Sequence, residues 1–301
     1  MPFGIALTVM VTVALGFSGC GGGNTTPQPD GAGEPDGGTG GPDAADDGGP
    51  TLSHCPTTEV HGPALARVRW SEGIAFCIDS TEVTNAQYAE FLAAAVTTTA
   101  QSERCGWNQS FQPAAKATNG PPCPTFDPTG HGSLPVVCVD WCDAEAYCHW
   151  AGKHLCQAPQ EKGSGPVPDW TVKNASEWVI ACTGDQPSEH LYPYGMAAEP
   201  GRCVDEEYPS PMPSLRPVKD AVMCEGGVPG LYDMSGNAGE WENDCTMKMG
   251  DTKGDMDICH PLGGSFASKP TDSSCTADTP FLRSQVAGDI GFRCCADAEF
   301  Y

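Results

Sequence analysis

The chain has 301 residues, with 39 Asp+Glu against 15 Lys+Arg and a formal net charge of -24. Binding to a nucleic-acid phosphate backbone needs a basic surface, so that class of function is excluded. With 39% hydrophobic residues but 37 Gly, 28 Pro and 17 Cys, the composition predicts a loop-rich globular domain, its thiols kept as disulfides in an oxidising compartment or as metal ligands.

From Phe3 to Phe17 the chain is almost wholly apolar. The run is shorter than the roughly 20 residues that span a bilayer, so it reads as the apolar region of a signal peptide. The following Phe17-Ser18-Gly19-Cys20 resembles the lipobox of bacterial lipoproteins, in which the Cys is lipidated and the preceding peptide removed. No Lys or Arg precedes Arg67, which is atypical of such a signal. The competing reading, a buried apolar helix, fits poorly with the segment that follows. Residues 21–52 hold Gly, Pro, Asp and Thr without aromatic or basic residues; they cannot bury enough apolar area to offset ordering entropy and read as a disordered tether. The reading is thus a lipoprotein signal peptide over 1–20, a tether over 21–52 and one folded domain over 53–301. The lipobox resemblance implies a membrane anchor in a bacterial cell envelope, on the periplasmic or cell-surface side. The absence of Asp after Cys20 points to the outer membrane. Setting Cys20 aside leaves an even number of thiols, matching a disulfide framework. A zinc site at Cys138, Cys142 and Cys148 is the alternative, but their spacing forms no paired Cys-x-x-Cys knuckle.

Phe76–Asp79 predicts a short strand, and Thr84 an N-cap for a helix with Tyr88, Phe91, Leu92 and Ala95 on one face. From about Thr97 to Leu134 the chain is rich in Pro, Gly, Asn and Thr and contains Cys105 and Cys123. It reads as an irregular surface excursion stapled by a disulfide. Val136–Val139 reads as a buried strand. Asp140 or Asp143 could cap a helix whose Trp141, Ala144, Cys148 and Ala151 share a face before Gly152 ends it. Asn174-Ala175-Ser176-Glu177 opens a third helix through Trp178 and Ala181. Thereafter short apolar runs punctuated by Gly and Pro predict irregular strands, an α+β arrangement with little regular structure.

Seven segments in order resemble the formylglycine-generating enzyme family, also called the sulfatase-modifying factor domain. They are FCIDSTEVTNAQYAEFL (76–92), LPVVCVDWCDAEAYCHWAGKHL (134–155), ASEWVIACTG (175–184), YPYG (192–195), GLYDMSGNAGEW (230–241), GGSF (263–266) and GFRCC (291–295). The resemblance implies a C-type-lectin-like fold. It also implies an active site of two Cys that bind Cu(I) and use oxygen to convert a substrate Cys into formylglycine. Counted from Ser265 of the Gly-Gly-Ser turn, the family's thiol positions fall on Ser268 and Ser273. A hydroxyl is a poor ligand for a soft cation. Cys275 lies close to the second position, and the resemblance pairs it with Cys182, and Cys148 with Cys294.

The resemblance further implies a Ca2+ site built from Asp233, the carbonyls of Gly236 and Ala238, and Glu240. Hard oxygen ligands on a Gly-containing turn suit that ion. Gly239 stands where the family has a large aromatic residue, which removes packing or opens space beside the groove. No His-Glu-x-x-His pair is present; His149 and His154 read as surface or capping residues, and Ser265 lies in no Gly-x-Ser-x-Gly elbow. The sequence thus predicts an anchored, calcium-stabilised module that binds a peptide or glycan in a groove at Ser265, Phe266, Ser268 and Trp107. The alternatives are a copper-dependent oxidase acting on exported sulfatases through Cys275 with another nearby thiol, Ser265 being a further catalytic candidate, and a structural lipoprotein of an envelope or motility assembly with envelope proteins as partners.

Overall fold

The computed structural model describes residues 54–70, 74–158, 176–184 and 189–299. Cys20, the tether, Asn174 and Ala175 lie outside the described residues. Residues Gly48–Tyr301 form one compact unit, to which everything below belongs.

Two six-residue strands, β1 (Leu65–Trp70) and β2 (Ile74–Asp79), form an antiparallel hairpin in register from Leu65↔Asp79 to Trp70↔Ile74. The chain then enters α1 (Asn85–Ala93) through a reciprocal capping box of Thr84 and Gln87. Tyr88 and Phe91 are buried, as the helical spacing predicts. Ala95 departs from that face, because the helix ends before it and its φ is 51°.

The 97–134 excursion contains only the short turns Thr98–Ala100 and Glu103–Cys105. Its cysteines bond outward, Cys105 to Cys142 and Cys123 to Cys138, so it is stapled to the body of the domain rather than closed on itself. Val136–Val139 is buried but is not a strand. Cys138 adopts φ 61°, and the backbone bonds scatter to Val83, Ala114 and Ala287 instead of to one neighbouring strand. Helix α2 (Trp141–Trp150) starts from Asp140, with Asp143 completing the capping box; Trp141, Ala144, Cys148 and Ala151 are all buried.

Strand β3 (His154–Leu155) leads towards α3 (Glu177–Thr183), whose Ser176 cap accepts from the Val179 N–H. The remainder is short strands: β4 (Glu225–Gly226), β5 (Val228–Tyr232), β6 (Gly239–Trp241), β7 (Cys245–Thr246), β8 (Ile258–Cys259), β9 (Phe281–Leu282), β10 (Ile290–Phe292) and β11 (Cys294–Asp297). The last returns to the start of the domain, giving a sheet of order β1-β2-β11-β3. A second pairing sets β6 parallel to β10, with Gly291 opposite Glu240.

All sixteen Cys of the described residues are joined in eight disulfides, Cys182–Cys275 and Cys148–Cys294 among them. The zinc alternative fails on this pattern, because Cys138, Cys142 and Cys148 each bond a different distant partner. Two large apolar clusters form the core. Tyr88, Phe91, Tyr147, Trp241 and Phe292 centre one; Ile78, Trp178, Leu231 and Met234 centre the other.

Candidate functional site

Two polar constellations are built where β6, the 233–238 turn and the Gly-Gly-Ser turn meet. The first is centred on Arg293, which is fully buried in the step between β10 and β11. Its Nε and Nη2 donate to the two oxygens of Glu240 at 2.6 and 2.7 Å, and Nη1 and Nη2 donate to the carbonyls of Asp79 and Tyr232. Trp178 Nε1 adds a third donor to Glu240 at 2.7 Å. A buried charge persists only when paired and hydrogen-bonded in this way. Glu240 Oε2 thus takes two donors and Oε1 one, and its charge is matched by Arg293.

Asp233 is different. It is 2% exposed, has φ 59°, and accepts the Lys219 N–H on Oδ2 at 2.7 Å, while its Oδ1 is buried without a partner. Glu82, also fully buried, accepts from Asn237 Nδ2 on Oε1 at 2.8 Å and leaves Oε2 without a partner. Burial pushes Asp233 up to about 6. Burial first and the Asp233 charge second hold Glu82 well above the usual carboxylate range. Two orphaned carboxylate oxygens beside a tight turn suit a hard divalent cation. Gly236 fixes that turn with φ 78°, its backbone so close to Val204 that a Cβ would lie 2.3 Å from the Val204 carbonyl oxygen. Glu82 lies in the approach to the α1 cap, where nothing in the sequence distinguishes it from a surface acid.

The second constellation is the Gly263-Gly264-Ser265 turn. A Cβ on Gly264 would lie 2.6 Å from Ser273 Oγ, so the turn seats directly on the 270–273 segment. Ser265 is 3% exposed. Its Oγ donates to Asp289 Oδ2 at 2.8 Å and accepts the Ala267 N–H, while its own N–H donates to Ser268 Oγ at 3.0 Å. Asp289 leaves Oδ1 buried without a partner; burial raises its pKa, against the Ser265 bond. Ser273 Oγ donates to the Lys269 carbonyl, and Cys275 is fully buried in its disulfide. The site thus presents hydroxyls and a carboxylate where a soft cation needs thiolates, and these residues do not fit Cu(I).

The structure does not bring all the predicted groove residues together. Phe266 is half-buried and packs with the Cys203–Cys224 cluster, whereas Trp107 packs with the α1–α2 core and donates its Nε1–H to the Arg104 carbonyl. Gly239 opens no space towards Ile290, where a Cβ would lie 2.9 Å from the Ile290 Cδ1. Asp289, which the sequence reading passed over, takes the place beside Ser265. His149 is exposed, and His154 is paired with Glu177 at 3.0 Å.

The model of the sulfatase-modifying factor enzyme 1-like domain matches residues 48–298. The chain belongs to this family. A formylglycine-generating enzyme of Streptomyces coelicolor is 26% identical over 274 residues, covering 74% of this chain and 79% of the relative. The mouse protein named inactive C-alpha-formylglycine-generating enzyme 2 is 27% identical over 259 residues, covering 74% and 75%. Among solved structures, CarF gives a TM-score of 0.49 at 22% identity, covering 75% of this chain and 87% of the other. PvdO from Pseudomonas aeruginosa gives 0.48 at 18%, covering 82% and 92%. This sulfatase-modifying factor domain is thus similar both to enzymes and to a protein named inactive, and its own residues bear on activity. Its eight disulfides place it in an extracytoplasmic, oxidising setting. Among the described residues no helix is long and apolar enough to cross a membrane.

Proposed function

We propose that this sulfatase-modifying factor domain is a lipid-anchored binding module of the bacterial envelope that does not perform the family's copper chemistry. The observation that carries the reading is the Gly-Gly-Ser turn: Ser268 and Ser273 stand at the thiol positions, and Cys275 is held by Cys182. Cys20 supplies the anchor, on the outer membrane. The ligand is a peptide or glycan, met at half-buried Ser268 and Phe266, with buried Ser265 and its partner Asp289 supporting them from behind.

The calcium reading is retained with a revised ligand set. Asp233 Oδ1 and Glu82 Oε2 would hold the ion with the carbonyls of Gly236 and Ala238, and Glu240 would act from behind through Arg293. When bound, the ion neutralises two buried carboxylates and fixes the 233–238 turn.

The test has two arms. Protein supplied with Cu(I), oxygen and a Cys-x-Pro-x-Arg peptide is expected to yield no formylglycine after reduction of any peptide disulfide; formation of the aldehyde would establish the oxidase reading instead. Peptide and glycan arrays are expected to yield a ligand whose retention is lost in Ser265→Ala. Co-purification with a large envelope complex, undiminished in Ser265→Ala, would favour the structural-lipoprotein reading.

A further inference from the structure

Methionine ordinarily fills irregular gaps in a core. Of the seven methionines among the described residues, Met234 alone is buried. Three exposed ones, Met247, Met249 and Met256, fall within a single loop, 72%, 99% and 40% exposed. The Cys245–Cys259 disulfide and the β7–β8 pairing close this loop at its base.

Two of the loop's three carboxylates, Asp251 and Asp257, are spent on the loop and the domain behind it. Asp251 accepts the backbone N–H groups of Lys253, Gly254 and Met256 at 2.9, 2.9 and 3.2 Å. Asp257, fully buried, accepts the Lys248 N–H at 3.0 Å and the guanidinium groups of Arg104 and Arg283. A Cβ on Gly254 would lie 2.4 Å from the Arg104 carbonyl oxygen, so the loop sits hard against the domain. Outward the loop presents the three thioethers beside the exposed side chains of Thr246, Lys248, Thr252 and Lys253. Lys248 stands between Met247 and Met249 in the chain, and its Nζ lies 3.9 Å from Met256 Sδ, which places Met256 beside the residue that the other two flank.

We propose that loop 245–259 is a binding site for a soft monovalent cation, Cu(I), with Met247, Met249 and Met256 as its ligands. Thioethers are neutral and soft; they select Cu(I) over hard cations such as Ca2+. Lys248 opposes a cation, but it is exposed on a flexible stem and can turn away from Met256. The surrounding field favours entry, since the chain carries a net charge of -24. The site is separate from the Gly-Gly-Ser turn and does not depend on the reading given to it.

The test uses the full chain with Cys20 alkylated and its methionine methyl groups labelled with carbon-13, titrated with Ag(I) as an air-stable probe and then with Cu(I) under anaerobic conditions. The Met247, Met249 and Met256 signals are expected to shift together and saturate at one equivalent, while those of the equally exposed Met196, Met212 and Met223 stay in place. Because thioethers do not titrate, the affinity is expected to be the same in mildly acidic and neutral buffer. A triple Met→Leu variant at 247, 249 and 256, its disulfide map unchanged, is expected to bind at least about tenfold more weakly. Uniform shifts of every exposed methionine, saturable binding retained in the triple variant, or no shift at all would each overturn the proposal.

Discussion

Glu82 and Asp233 each keep one buried carboxylate oxygen that no donor reaches, and burial makes both costly to ionise. Glu82→Gln and Asp233→Asn are therefore expected to leave the metal-free protein as stable as the parent or more so, and to remove the rise in melting temperature on adding Ca2+. In the parent that rise corresponds to about 2.7 kcal/mol at a hundredfold excess over Kd. A calcium response surviving in both variants, followed by differential scanning fluorimetry, would contradict the assignment. A second prediction concerns His154. Burial works to lower its pKa, but the bond and charge of Glu177 outweigh this, so the folded-state value lies above the unfolded 6.5. A raised His pKa contributes stability that is fully present below the unfolded value and lost as pH rises through the folded one. The urea-midpoint advantage of the parent over His154→Gln is accordingly expected in acid and should shrink in mildly alkaline buffer; a pH-independent difference would sink it. Asp233 was legible in the sequence because it stands in a recognisable turn. Glu82 and Asp289 were not, because what marks them is a buried oxygen without a partner, which only three-dimensional packing creates.

Two glycines lock the end of α3 to the β4–β5 hairpin. Gly184, at φ 63°, caps the helix, and a Cβ there would lie 2.2 Å from the Gly227 carbonyl oxygen. Gly227, at φ 66°, reciprocates, with a Cβ at 2.3 Å from the carbonyl oxygens of Ala181 and Cys182. Since the obstacles are backbone atoms that cannot swing aside, Gly227→Ala is expected to cost about 1 to 3 kcal/mol or more in urea unfolding. A change under about 0.5 kcal/mol would show that the two elements are not seated as described. Elements whose ends carry chemistry were readable: Thr84 and Asp140 cap the first two helices, while the third is capped by Ser176 and not by the Asn174 that a capping box with Glu177 implies. Val136–Val139 misled because its apolar run satisfies a strand pattern, while the positive φ of Cys138 and its disulfide to Cys123 bend the backbone out of one.

Across the whole molecule, distant cysteines tie the end of the chain to its middle: Cys148–Cys294 and Cys156–Cys295 span 146 and 139 positions. Each closed loop typically contributes about 2 to 4 kcal/mol, so reduction is expected to lower the melting temperature steeply; an unchanged transition would mean that the framework is not the source of stability. The even thiol count was legible from composition, and the resemblance carried Cys182–Cys275 and Cys148–Cys294. The other six partners follow from where an irregular backbone brings Cβ atoms together, which no spacing rule supplies. The same framework carries the functional argument, since a thiolate oxidase needs thiols that are free. The most direct measurement is therefore non-reducing peptide mass spectrometry of the exported protein, asking what Cys275 is bonded to. A peptide pair joined through Cys182 and Cys275 is the predicted result and leaves no copper thiolate beside the Gly-Gly-Ser turn. A free Cys275 with a second unpaired thiol would contradict the account and return the oxidase reading to first place.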